Sequence, residues 1–387
     1  MSDQDEQPVF IQAPLSARKG RGAVSNLQGR YELQSRERFD DGWDEQIAGE
    51  HAVEGAPRLR THIIHETARS ILSRNASPDI PFGVSLNPYR GCEHGCIYCF
   101  ARPTHSYLGL SPGLDFETRL YAKTNAADLL RQELARPRYV SQPIALGINT
   151  DGYQPCERDL RLTRSVLEVL HNCAHPVGLI SKSSLIERDI DLLAPMAERR
   201  LAATAVTLTT LDPAIARTLE PRAASPARRL RTIRTLAEAG IPVSVSVAPV
   251  IPFVTEPDLE RIVEAAFDAG ATSAHYIVLR LPWEVSPLFR EWLQAHFPDR
   301  AQRVMNRIQE MRGGKDYDSA FSNRMSGEGV WADLIRQRFE KAVARYGKPG
   351  AHRFAGLDTS QFRRPIITPT GRASSRSEKN DGQLHLF

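Results

Sequence analysis

Cysteine is scarce in this chain, with five in 387 residues. So sparse and odd a set does not suit a disulfide framework. Long apolar runs are also missing. None reaches the roughly 18–20 residues needed to cross a bilayer, which argues against a membrane-spanning class. The first seven residues show no basic region leading into an apolar stretch, so no secretory leader is expected. Aromatic residues are few, at 7%, and neither sign of charge dominates: 50 Lys and Arg against 46 Asp and Glu give a net +4. That balance permits an anionic partner such as nucleic acid without demanding one. With 41% hydrophobic and 25% charged residues the composition is that of a globular protein. A cytoplasmic location, with no membrane partner, is the expectation, and there thiols stay reduced and free to bind metal.

What is present divides along the chain. Residues 1–60 are polar and lack periodicity, and read as an N-terminal arm that is partly disordered. Within them, 18–30 is basic and glycine-containing. It is either a solvated leader or an arm that wraps the core or touches a polyanion. From residue 76 short apolar runs alternate with amphipathic stretches. Strands are expected at 84–86, 144–148, 177–180, 203–208, 243–247 and 275–279. Helices are expected at 126–134, capped by Asn125, and at 160–170, 185–199, 226–239 and 257–269. The last two stop at Gly240 and Gly270, where a left-handed residue costs glycine little. Repeated βα steps of this length predict an α/β fold with a parallel sheet. Six units make a partial (β/α)6 TIM-like barrel, although periodicity alone leaves a doubly wound sheet open. The core is placed at 76–312, a C-terminal helical extension at 313–370 with a helix at 334–344, and a disordered tail at 371–387.

The stretch Asn87-Pro-Tyr-Arg-Gly-Cys92-Glu-His-Gly-Cys96-Ile-Tyr-Cys99-Phe-Ala-Arg102 follows the first expected strand. It sets three thiols at x3 and x2 spacing in a loop, with Gly91 and Gly95 lending backbone freedom near an inorganic core. A 4Fe–4S cube takes four ligands, so three clustered cysteines leave one iron open to an outside ligand. Structural zinc prefers four closed ligands. His94, His105, Cys156 or Cys173 would have to complete such a set, and none stands at finger-like spacing. Three inert core thiols are the plainest alternative, but Gly, Glu and His flanks make a poor core pattern.

Cys92-x3-Cys96-x2-Cys99, with Tyr98 before the last cysteine, resembles the signature of the radical SAM superfamily. More narrowly, residues 77–123 are similar to a bacterial branch grouped with spore photoproduct lyase, the DNA-repair-photolyase-like proteins. The resemblance implies a 4Fe–4S cluster on the three cysteines and S-adenosylmethionine (SAM) on the open iron. Reduction of the cluster then splits SAM to a radical that abstracts a substrate hydrogen. It also implies a reducing electron donor such as flavodoxin or ferredoxin, and a substrate that is nucleic acid, protein or a small molecule. A non-catalytic iron–sulfur or zinc protein is the rival class.

The same resemblance directs attention to the strand ends, which face a common site in barrels. After strand two, Thr150 and Asp151 stand where the family binds the SAM amino group, although Asn149-Thr-Asp-Gly152 departs from the usual Gly-Gly-Glu; a plain Asx turn is the alternative. After strand three, Lys182 can pair with the SAM carboxylate and a hydroxyl such as Ser181 with the ribose, while Ser183 or Ser184 caps the next helix. Tyr98 is expected near the adenine or as packing, with the apolar 248–252 segment alongside. Arg280 closes strand six as a ligand contact or a solvated charge. Cys156 is a candidate hydrogen donor, because the lyase carries a cysteine near this strand end, or else a small buried thiol. Residues 105–113 are a candidate lid. Arg228, Arg229, Arg231 and Arg234 are expected to coat a solvated helix face or to touch phosphate.

Overall fold

The computed structural model describes residues 17–32, 59–347 and 356–366. The rest of the expected arm and the tail at 371–387 lie outside the described residues. Among the described residues ten strands form two sheets. Strands β1 (His62–Glu66), β5 (Arg119–Lys123) and β4 (Tyr89–Arg90) make a small one, with β5 central. The large sheet runs in the order β10 (Ser273–Val278), β9 (Val243–Val250), β8 (Ala202–Thr207), β7 (Val177–Ser181), β6 (Ile144–Leu146), β3 (Val84–Leu86) and β2 (Leu72–Arg74).

From β3 to β10 every neighbour in this sheet is parallel, and spatial order equals chain order. A doubly wound sheet reverses direction partway, so this is the singly wound, incomplete barrel. All six expected strands are there. Strand β6 is two residues shorter than expected, because Gly147 turns out at φ +89° and brings its Cα against Ile180. A Cβ at Gly147 would sit 2.2 Å from the Ile180 carbonyl oxygen. Strand β2, which pairs antiparallel with β3, and the small sheet were not anticipated. Both use short or amphipathic strands whose pairing is non-local.

The helices cover the outside of the sheet. Leu162–Asn172 buries Thr163, Val166, Leu167 and Leu170, a stripe at helical spacing, and Leu259–Asp268 buries Leu259, Ile262, Val263 and Ala266. Their partners are Leu86, Leu146, Leu179, Val206, Val245 and Val247 from the strands. Each large apolar side chain so buried stabilises by about 1.5–3 kcal/mol. The helix expected at 160–170 is broken at Arg161, which sits at φ 53°. The one expected at 185–199 opens as a 3-10 turn, Ser184–Asp189, before Ile190–Glu198. Asn125 does not cap with its side chain; its amide exchanges two hydrogen bonds with the Ala68 backbone. After β10 come Val285–His296, Pro298–Glu310, a loop, and the helix Gly329–Tyr346.

Between the two readings of 18–30, the structure has the arm wrapping the core. Arg21 to Val24 are buried, and a Cβ at Gly22 would lie 1.9 Å from the Gly95 carbonyl oxygen. No helix among the described residues is long and apolar enough to cross a membrane.

Candidate active site

Because the barrel strands are parallel, the segments after β3, β6, β7, β8, β9 and β10 emerge at one end. The cysteine loop, following β3, lies there. Cys92 and Cys96 are buried and Cys99 half-buried. Main-chain bonds fix the loop: the Cys92 N–H donates to Phe116 O (2.9 Å), Ile97 N–H to Leu219 O (3.1 Å) and Cys99 N–H to Cys96 O (3.2 Å). Arg102, the last residue of the motif, organises it from beneath. Its buried guanidinium donates to the carbonyls of Cys96 (2.9 Å), Gly95 (3.1 Å), Pro112 (3.0 Å) and Gly113 (2.9 Å), and pairs with Glu117. Glu117 in turn accepts the N–H groups of Gly22 (3.0 Å) and Ala23 (2.9 Å), tying the arm to the loop. No role was assigned to Arg102 or Glu117 from sequence, since nothing in the pattern marks which charges will be buried.

The thiols feel one another. Burial first, then the charge of Asp151 and the other two cysteines, pushes Cys92 well up, with the Asp151 N–H donating to its sulfur in opposition. Cys96 is pushed up to about 12, by burial first, against the pull of Lys182. Without a cation beside them Cys92 and Cys96 would stay protonated; a bound metal reverses that balance. Among the described residues no three His, Cys, Asp or Glu side chains converge as they do around a single ion.

Asp151 is the hub between strand ends. Its Oδ1 accepts from Ser181 Oγ (2.8 Å) and Tyr153 N–H (2.9 Å), and its Oδ2 from Lys182 N–H (2.8 Å), with His94 Nδ1 at 3.3 Å. Burial works against the carboxylate, but His94 and those donors outweigh it and hold the group at about 2. The Tyr153 bond is the Asx turn, so that turn and a place in the site coexist. Thr150 donates its hydroxyl to Tyr89 O (3.2 Å). Ser183 caps its helix by accepting from Leu185 N–H (3.1 Å).

Lys182 lies with its ammonium 5.9 Å from the Tyr98 ring centroid. Burial opposes its charge, yet Cys96 and Glu220 outweigh burial and hold it above the usual lysine range. Tyr98 donates to Glu220, which also accepts from Thr209 (2.7 Å) and pairs with Arg229. Arg229 is therefore no solvated residue, contrary to the expectation for that helix. It is buried and donates to Ala224 O (2.7 Å) and Thr207 O (3.1 Å), whereas Arg231 and Arg234 are exposed.

Arg280 stands at the end of β10 with its guanidinium 5.2 Å from the Phe100 ring centroid, beside Cys99. Cys156 packs among Tyr89, Leu120, Ala122, Leu160 and Leu162, and its N–H donates to Glu93 (2.8 Å). Its neighbours come from the small sheet and the turn after it, which suits a packing thiol. In the 105–113 segment His105, Ser106 and Ser111 are buried, with His105 Nε2 meeting Arg119 O at 2.9 Å, while Tyr107 is exposed.

Residues 86–266 match the model of the Radical SAM superfamily. An uncharacterized protein of Mycobacterium tuberculosis (strain ATCC 25618 / H37Rv) is 33% identical over 317 residues, 80% of this chain and 89% of that one. One of Methanocaldococcus jannaschii is 25% identical over 222 residues, 57% of this chain and 79% of its own. Among solved structures, spore photoproduct lyase complexed with dinucleoside spore photoproduct superposes with a TM-score of 0.53 at 14% identity, covering 75% of this chain and 81% of that one, which speaks to fold. The cysteine loop at the mouth of a six-stranded parallel barrel and these matches lead to one conclusion: the chain belongs to the radical SAM superfamily of enzymes.

Proposed function

We propose that Cys92, Cys96 and Cys99 hold a 4Fe–4S cluster, that SAM lies against the strand ends, and that the enzyme abstracts hydrogen from a nucleic-acid substrate in the cytoplasm. The observation that carries this is the cysteine loop: three thiols within one another's field at the mouth of the parallel barrel. A cube takes one thiolate per iron, so three cysteines leave one iron for an outside ligand. When bound, cluster and SAM supply reductive cleavage of the sulfonium to methionine and a 5′-deoxyadenosyl radical. The chain's own residues bind and orient. Lys182, held charged, suits the SAM carboxylate. Asp151 is a positioning residue, because its oxygens already hold Ser181, the Lys182 backbone and His94. Glu220 fixes the Tyr98 ring beneath Lys182.

A nucleic-acid substrate is supported by the surface beside the loop. Arg30 stacks on Trp283 (4.3 Å) and Tyr31 on Tyr107 (5.2 Å), and all three aromatic rings are exposed. Rings interleaved with a cation suit unpaired bases. A reducing donor such as flavodoxin or ferredoxin supplies the electron.

The test is anaerobic reconstitution, reduction and addition of SAM, with 5′-deoxyadenosine measured. Wild-type protein should release it, and Cys96→Ala should lose both cluster absorbance and product. Cluster-loaded protein that releases none would overturn the radical reading. Oligonucleotide binding that ignores salt would overturn the nucleic-acid part.

A further inference from the structure

The three most completely buried arginines among the described residues are treated differently. Arg102 pairs with Glu117 and Arg229 with Glu220. Arg312, 2% exposed, has no ion-pair partner among the described residues. Its Nη1 donates to Asn323 O (2.5 Å) and its Nη2 to Leu279 O (2.9 Å), while its Nε–H is buried without a partner.

Leu279 is followed by Arg280, a second cation with the same defect. The Arg280 Nε–H is also buried and unpartnered. Its Nη1 reaches only the Met325 sulfur at 3.6 Å, and its Nη2 the Tyr317 hydroxyl at 3.4 Å. A thioether is a weak acceptor, and 3.4 Å is long for a charge-assisted bond. The carboxylates that Arg312 feels are engaged elsewhere: Asp318 accepts from Ala320 N–H (3.0 Å) and Glu328 from the Asn323 amide (3.0 Å). Burial, and next the like charge of Arg280, works against the Arg312 cation.

Two neighbouring guanidiniums, each with an orphan N–H, are costly unless an anion joins them. An arginine fork matches phosphate oxygens. Phe100 and Tyr317 flank Arg280, with ring centroids 5.2 and 6.0 Å from its guanidinium carbon, and Phe100 is exposed and directly follows Cys99. We infer that Arg280 and Arg312 form an oxyanion site for a substrate phosphate, with Phe100 and Tyr317 as surfaces for the planar ring attached to it. The identity of the ring rests on the nucleic-acid reading above; the oxyanion site does not.

The test uses the full chain with its cluster reconstituted. Affinities are measured for thymidylyl-(3′→5′)-thymidine and for thymidine, which lacks the phosphate. The dinucleotide should bind about tenfold more tightly, the equivalent of one charged hydrogen-bonded contact, and inorganic phosphate should compete with it. Arg280→Gln should remove most of that preference, and Arg280→Lys should restore part. Arg312→Lys should weaken it as well; because Arg312 also holds carbonyls, the Arg280 variants carry the test if it misfolds. Saturating SAM should leave dinucleotide affinity in place. No preference for the dinucleotide, an unchanged Arg280→Gln variant, failure of phosphate to compete, or competitive displacement by SAM would each overturn the site. The two readings fail separately. If oligonucleotides do not bind while the dinucleotide preference stands, the macromolecular substrate is wrong and the oxyanion site remains.

Discussion

Arg102 and Arg280 both lie beside the cysteine loop, and their surroundings are opposite. Arg102 has five acceptors: four carbonyls and Glu117. Arg280 has a sulfur, a distant hydroxyl and an unpartnered Nε. Beneath the loop, then, the Arg102 guanidinium is met on all sides by the protein, which fixes the backbone carrying the three thiols before any ligand arrives. Beside Cys99 the donors are left for something else. A site whose scaffold is satisfied and whose mouth is not has been built to bind.

The largest effect should come from the scaffold side. Glu117 is fully buried and serves Arg102, Gly22 and Ala23 at once. Glu117→Gln leaves the Arg102 charge uncompensated and should cost about 3–5 kcal/mol in urea unfolding. It should also expose 18–30 to protease. Arg280→Gln removes one of two like charges and should cost less than about 0.5 kcal/mol or stabilise slightly. Equal losses would erase the contrast between the two regions.

That contrast was only half legible in the sequence. Cys92, Cys96 and Cys99 were readable because three thiols in eight residues have few other uses, and the barrel because βα periodicity repeats locally. The small sheet was not, since β1 and β5 are brought together by pairing across more than fifty residues. Arg229 was misplaced because a basic helix face looks the same whether one member turns inward or none does; Ser225, the cap, and Glu220, its partner, lie in a loop with no periodicity. Arg280 was readable as a strand-end charge. Arg312 was not, because its burial depends on the loop at 313–328 folding back so that Val278 N–H meets Met325 O (2.8 Å).

An intermediate effect should appear with pH. His105, under the cysteine loop, and His175, behind the sheet, are both held down to about 4 by burial. Unfolded histidines titrate near 6.5, so between about 6.5 and 4 the unfolded chain binds more protons than the folded one. Stability should be unaffected above that window and fall as pH drops through it, by about 1 kcal/mol per pH unit for each ring. Urea unfolding at pH 7, 6 and 5 checks this. A flat profile would mean that the rings are not held neutral, and that the scaffold is looser than its hydrogen bonds imply.

A smaller effect on stability than either of these, second only in smallness to that of Arg280→Gln, should come at the seam of the barrel, and it bears most directly on why the mouth is unsatisfied. Strand β2, paired with β3, forms one edge of the large sheet and β10 the other. Asp79, between β2 and β3, pairs through both oxygens with Arg324, in the 313–328 loop (2.5 Å each). This bridge reaches across the open side of the barrel. It is partly exposed, so Asp79→Asn should cost only about 0.5–1 kcal/mol. The same loop carries Tyr317 and Met325, which contact Arg280, and Asn323, which contacts Arg312. Loosening it should speed hydrogen exchange at Val278 N–H, whose acceptor is Met325 O, by several-fold, while exchange under the Arg102 scaffold is unchanged. Exchange that rises in both places would mean that the two regions share one cooperative unit. Exchange that rises in neither would mean that Arg312 alone holds the loop, and that the arginine pair stands ready whether or not the seam is bridged.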